Sequence, residues 1–251
     1  MITRKDFTSL FLNEEGKYMD YISETAFDKL RQMGGFKLFL PEELNGLSYS
    51  LSQTLNVFRE LSYCNGSLGW LVQIGNGGNY FVTNCSDQTN KRFFFSKDSL
   101  LTGSALVGGM GAKIEGGFVI SGQWRYASGS DYATVFTATL TLEGREGVWT
   151  ALVPREDVTI IKDWDTLGMR QTSSHSFKVE QVFIPDEHFF QTSVRKNYLE
   201  TPLFNLPFFV YAQVFFTATL YGLVERLLEE GCIWSETKLE VWRDYAPNRL
   251  N

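Results

Sequence analysis

The sequence predicts an α+β protein with a helical first segment (residues 1–97), a β-rich central segment (98–197) and a helical third segment (198–251). Two observations carry this. Apolar residues follow a helical period in the first segment, then shift to short β-type runs divided by glycine-rich turns. The period turns helical again in an apolar stretch after residue 206.

In the first segment, Phe27, Leu30 and Met33 follow a helical spacing behind Ser23, a cap residue with acidic Glu24 beside it. Gly34-Gly35 ends that helix, and Leu40-Pro41-Glu42-Glu43 restarts one with proline at an early position. Asn45-Gly46 marks a turn. Ser52 to Tyr63 places Leu55, Phe58 and Leu61 on one face; Ser67 to Gln73 and Asp87 to Phe95 add two further helical pieces.

The central segment offers Thr102–Val107, Ala112–Ile114, Gly117–Ser121, Gln123–Tyr126, Ala133–Thr141, Gly147–Val153, Val158–Ile161 and Ser174–Ile184 as strands. Such spacing fits a small barrel or a sandwich. Gly75-Asn76-Gly77-Gly78 and Gly108-Gly109-Met110-Gly111 lack Rossmann spacing and read as turns. In the third segment, Phe208 to Lys238 reads as one long helix that ends near Ala246-Pro247. A helix this apolar has to pack on the first segment or on another chain.

Composition narrows the function classes. A net charge of −6 and a pI near 5.1 argue against nucleic acid. No basic amphipathic run points to a membrane surface, and the stretch Leu206–Leu228 is broken by Gln213, Glu225 and Arg226, so it reads as a buried helix. The three cysteines (Cys64, Cys85, Cys232) are odd in number and widely spaced, which suggests neither a disulfide framework nor a metal knuckle and points to a reducing cytoplasm. With His175 and His188 the only histidines, a histidine-rich metal site is excluded.

Two blocks carry chemistry. Gly117 to Gly129 reads as strand, turn, strand, alternating Gln123 and Arg125 against Trp124 and Tyr126. Its aromatics are either core residues of a hairpin or a face for a planar ring, with Ser128 in hydrogen-bond reach of that ring. Asp163 to His175 is rich in Thr, Ser and Arg, which suits an anion-holding loop or a plain polar surface loop.

Three passages in order resemble the acyl-CoA dehydrogenase superfamily: Gly34 to Leu47 (GGFKLFLPEELNGL), the Gly117–Gly129 block, and Leu167 to Ser174 (LGMRQTSS) leading to Val182-Phe183-Ile184-Pro185. Gly66-Ser67-Leu68-Gly69-Trp70 and Trp124-Arg125-Tyr126-Ala127-Ser128-Gly129 are similar to the two-component flavin monooxygenase branch in particular. The resemblance implies an N-terminal helical domain, a central β-barrel and a C-terminal helical domain. It implies a flavin, FAD or FMN and in that branch reduced, held at the barrel edge. Tyr126, Ala127 and Ser128 would line the ring, Ser128 as the catalytic hydroxyl beside flavin N5. Thr102 and Ser104 would lie at the pyrimidine edge.

By the same resemblance, a partner reductase would supply reduced flavin, which activates oxygen to hydroxylate a small aromatic or related substrate. The family's C-terminal four-helix bundle is expected to be mostly missing here, and with it the dehydrogenases' carboxylate and the monooxygenases' C-terminal histidine. Three functions are open: a reduced-flavin-dependent monooxygenase, an acyl-CoA dehydrogenase-type flavoenzyme, or a non-catalytic flavin-binding or assembly protein. A homo-oligomer is expected, because the apolar third-segment helix needs a partner.

Overall fold

The structure, a computed structural model, describes residues 2–12, 22–197, 199 and 201–245. Helices α1 (Arg4–Phe11), α2 (Glu24–Gln32), α3 (Leu51–Cys64), α4 (Gly66–Gly78) and α5 (Asp87–Phe93) precede strands β1 (Leu101–Ile114), β2 (Gly117–Ala127), β3 (Val135–Leu142), β4 (Arg145–Pro154), β5 (Thr159–Ile161), β6 (His175–Pro185) and β7 (Phe189–Phe190). Helix α6 (Phe208–Tyr245) follows. The expected helix end near Ala246-Pro247 lies outside the described residues.

Polar caps start the helices where the sequence places them. Ser23 accepts from the Ala26 N–H, Ser50 forms a capping box with Gln53, Asn65 accepts from Leu68 and Ser86 from Thr89. The helix expected to restart at Leu40-Pro41 is only one 3-10 turn, Glu42–Leu44. Asn45 stops it in a left-handed conformation (φ 56°). Gly46 then passes so close to Leu40 that a Cβ would lie 2.0 Å from the Leu40 carbonyl oxygen.

Both glycine runs expected to be turns lie inside regular elements. Gly75 to Gly78 form the last turn of α4. There a Cβ on Gly75 would stand 2.8 Å from Leu100, and one on Gly78 2.6 Å from Leu101, so these glycines let the helix press against the start of β1. Asn76, fully buried, accepts from the Leu38 N–H and donates to the Gly35 and Val72 carbonyls. Gly108 and Gly109 lie within β1 at a register shift against β3. A Cβ on Gly109 would meet the Trp124 ring at 2.6 Å. The glycines here serve close approach, a use the sequence does not distinguish from turning.

The seven strands form one sheet, ordered β5-β6-β2-β1-β3-β4-β7, antiparallel except for the parallel β1–β3 pair. Strands three or four places apart in a flat sheet would be separated by roughly 14 to 19 Å. Yet Phe118 on β2 and Phe189 on β7 have ring centroids 5.4 Å apart, and Phe136 on β3 meets Phe177 on β6 at 4.9 Å. The sheet is therefore rolled around an aromatic core, as the barrel reading expects. Trp124 sits inside that core, stacked on Phe177 at 5.0 Å and donating its indole N–H to the Thr139 carbonyl at 2.6 Å.

Helix α6 buries a stripe of Tyr211, Phe215, Thr219 and Gly222. Phe215 packs on Phe58 at 4.8 Å, and a Cβ on Gly222 would be 2.1 Å from the Arg59 carbonyl oxygen, so α6 and α3 touch backbone to backbone. Glu225 fastens the crossing with ion pairs to Arg59 (2.8 Å) and Arg4 (3.0 Å). The helix was expected to be buried, but only this stripe is. Leu220, Leu223, Val224, Leu227 and Leu228 are exposed. By length and hydropathy alone, Phe208–Leu239 would suffice to cross a membrane.

Candidate functional site

The end of β2 departs from strand geometry just where the sequence block reaches Ser128. Tyr126 has φ 65°, and the pairing of β2 with β6 shifts register between Trp124 and Ala127. Alternation therefore breaks. Trp124 faces the core at 1% exposure while Tyr126 is 61% exposed, so the two aromatics do not share one ring-binding face. Tyr126 instead meets Trp164 edge-on at 6.4 Å. Ala127 is buried opposite His175.

Ser128 follows, 9% exposed. Its carbonyl accepts from the Thr102 hydroxyl at 2.5 Å, which ties β1 to this turn. Its own hydroxyl accepts from the Trp70 indole N–H at 2.9 Å and lies 2.7 Å from the Ser174 hydroxyl. Ser174 lies 2.7 Å from Thr172, which donates to the Met169 carbonyl at 2.9 Å. The Gly129 N–H donates to the Thr172 carbonyl at 2.7 Å and the Ser130 hydroxyl to the Ser173 carbonyl at 2.6 Å. Two loops distant in sequence are thus stitched into one unit. Met169 (φ 55°) and Ser173 (φ 45°) share the left-handed conformation of Tyr126, so strained backbone is concentrated around Ser128.

Beside this unit opens a cleft of about 540 Å3, lined among others by Trp70, Leu167, Met169, Arg170, Leu220 and Leu223. Trp70 stacks on Phe216 of α6 at 5.4 Å, so α4, α6 and the 167–171 loop meet around one indole. Thr102 and Ser128 are brought together. Ser104 lies further along β1, where its carbonyl accepts from the Thr139 hydroxyl and its side chain from the Leu106 N–H. Leu106 and Val107 beyond it are exposed. The loop considered as an anion holder turns two of its hydroxyls inward, since Thr172 and Ser174 are buried, and of its polar side chains Arg170 and Gln171 line the cleft.

Neither histidine lines this cleft. His175 Nδ1 accepts from the Trp164 N–H at 3.0 Å, and His188 is buried edge-on to Phe93 at 4.8 Å, where burial pulls its pKa down. Asp163, which abuts the same loop, is pushed up by burial, but hydrogen bonds from the Ser176 hydroxyl and N–H outweigh this and hold it below the usual carboxylate range. No group of three or more metal-ligating side chains occurs among the described residues.

Residues 11–96 match the acyl-CoA dehydrogenase N-terminal domain. A solved structure of XiaF from a Streptomyces species, in complex with FADH2 and glycerol, superposes with a TM-score of 0.74 at 21% identity, over 87% of this chain and 58% of that one. The chain has the acyl-CoA dehydrogenase-like fold. Within this fold its sequence is similar to an indole-3-acetate monooxygenase of Pseudomonas putida, 26% identical over 213 residues that cover 84% of this chain and 54% of the relative. A pigment production hydroxylase of a Rhodococcus species is 30% identical over 213 residues, 80% of this chain and 54% of the relative. The chain spans about half the length of the curated relatives it matches.

The acyl-CoA dehydrogenase-like residues fit a flavin in kind. A polar unit of Thr102 and Ser128 adjoins a cleft walled by one indole, Trp70, and by Leu167, Met169, Leu220 and Leu223. Trp70, Thr172 and Ser174 lie inside motifs noted in the sequence, but no site role was assigned to them there. For Trp70 the glycine pattern of Gly66-Ser67-Leu68-Gly69-Trp70 is the clearest signal, because a Cβ on Gly69 would stand 2.0 Å from the Ser62 hydroxyl oxygen. That close approach of α4 to α3 sets where Trp70 emerges.

Proposed function

We propose that this protein is a flavin-dependent oxidoreductase, a reduced-flavin-dependent monooxygenase that hydroxylates a small aromatic or related substrate. The observation that carries the reading is the Ser128 hydroxyl, held by Trp70 and Ser174 at the edge of the cleft that Trp70 lines. Among the described residues that line the cleft none is Asp, Glu or His, so these elements offer no base of the kind an acyl-CoA dehydrogenase needs. The relatives' printed activities, a monooxygenase and a hydroxylase, support the same choice.

In this reading the flavin is FAD or FMN, and Thr102, Ser104, Tyr126, Ala127 and Ser128 face it. When bound, reduced flavin supplies the electrons that activate oxygen. The chain's own part is to bind, orient and exclude water. Ser128 presents a fixed hydroxyl, Thr102 holds the Ser128 carbonyl and hence the turn, and Trp70, Leu220 and Leu223 give the cleft an apolar wall. A separate flavin reductase is the partner that delivers reduced flavin. Segments 1–97, 98–197 and 198–251 serve as three domains, with a homo-oligomer in the cytoplasm completing the exposed face of α6.

Oxygen consumption with a flavin reductase, NADH and a panel of phenols and indoles tests the proposal. Hydroxylated product that depends on this protein is the expected result. Oxygen uptake and product equal to the reductase alone, across the panel, would refute it.

A further inference from the structure

The hydrogen bonds around Ser128 have a direction that their two ends dictate. At one end the Trp70 indole can only donate, and it points at the Ser128 oxygen. At the other end the Met169 carbonyl can only accept, so the single Thr172 proton is committed to it. Thr172 must then accept from Ser174, which spends its one proton, and Ser174 must accept from Ser128. Thr172 and Ser174 are buried, so water offers their hydroxyls no competing partners. The chain of donors runs head to tail from Trp70 to Met169, and the Ser128 hydroxyl has no proton left for a ligand.

We propose that Thr172 and Ser174 are positioning residues that turn Ser128 into an acceptor only, and so make the site select flavin that carries a proton on N5. This rests on the flavin reading above. Oxidised flavin offers a bare N5 that needs a donor, whereas reduced flavin offers N5–H. An acceptor-only hydroxyl pairs with the second and leaves the first facing a lone pair. The left-handed backbone at Tyr126, Met169 and Ser173 keeps the hydroxyls in register.

The test is anaerobic titration of the full chain with FMN and with FMNH2, and in parallel FAD and FADH2, for the wild type, Ser174→Ala, Thr172→Val and Ser174→Thr. The potential of the bound flavin is a second readout, because it moves with the ratio of the two affinities. Ser174→Ala frees the Ser128 proton. Thr172→Val is nearly isosteric, and the Met169 carbonyl keeps its bonds from the Thr172 N–H and the Trp164 indole. Wild type should prefer the reduced form by about tenfold or more, both variants should move toward parity, and Ser174→Thr should hold the preference. Equal affinities in the wild type, or a preference unchanged in both folded variants, overturn the relay while leaving flavin binding intact. Uptake of neither redox form by the wild type overturns the flavin reading itself and the relay with it.

Discussion

The Trp70 indole and the Ser128 hydroxyl stand 2.9 Å apart and join α4 to the end of β2. Trp70→Phe keeps an aromatic ring against Phe216 but removes the N–H together with part of the indole's packing area. We expect a loss of about 1 kcal/mol in urea unfolding, seen as a lower midpoint at an unchanged slope. A folded variant with no midpoint shift would show that this bond contributes nothing to stability.

Lys37 is fully buried. Its ammonium donates to the carbonyls of Leu44 (2.5 Å), Phe94 (2.6 Å), Ser96 (2.9 Å) and Phe95 (3.3 Å). Burial pulls its pKa down to about 8, which still leaves it protonated at neutral pH. Lys37→Met fills similar volume but strands those carbonyls. It should cost about 3 kcal/mol or more, read by thermal unfolding.

Glu225 sets a pH dependence. Its hydrogen bond from Arg59, then that from Arg4, hold the carboxyl below its ordinary value near 4.5 against the opposing effect of burial. A lowered folded pKa contributes stability that is fully present above about 4.5 and is lost as pH falls through the folded value. The difference in Tm between wild type and Glu225→Gln should therefore be largest near neutrality and shrink below pH about 4. A difference that stays constant down to pH about 3 would separate Glu225 from acid loosening of α6.

Thiol accessibility gives a further check. Burial pushes Cys64 up to about 11 and Cys85 up to about 12, while Cys232 is exposed on α6. At pH about 8 a thiol reagent should label Cys232 alone in the folded chain and all three cysteines in denaturant. Fast native labelling of Cys64 or Cys85 would mean that the α3 or α5 region opens readily.

Periodicity made the elements legible. The Ser23 and Ser50 caps, the long α6 and the strand-rich centre follow from spacing that local sequence controls. The misread stretches share one cause. Gly75, Gly78, Gly108 and Gly109 sit where another segment of the protein comes close, and that segment is distant in sequence. Tyr126 escaped because one left-handed residue reverses every side chain beyond it, which no alternation rule detects. Thr102 was named through family resemblance alone, whereas Ser128 also stood out at the end of the Gly117–Gly129 block. The Thr172–Ser174 relay needed coordinates, because its meaning lies in which atom faces which.

The left-handed turns at Tyr126, Met169 and Ser173 have a bearing on ligand entry. Their cost is met when the chain folds, before any small molecule arrives. A guest would meet a rim already shaped, so capture should proceed at a rate set by diffusion and shielding from solvent, with little rearrangement of the rim to wait for.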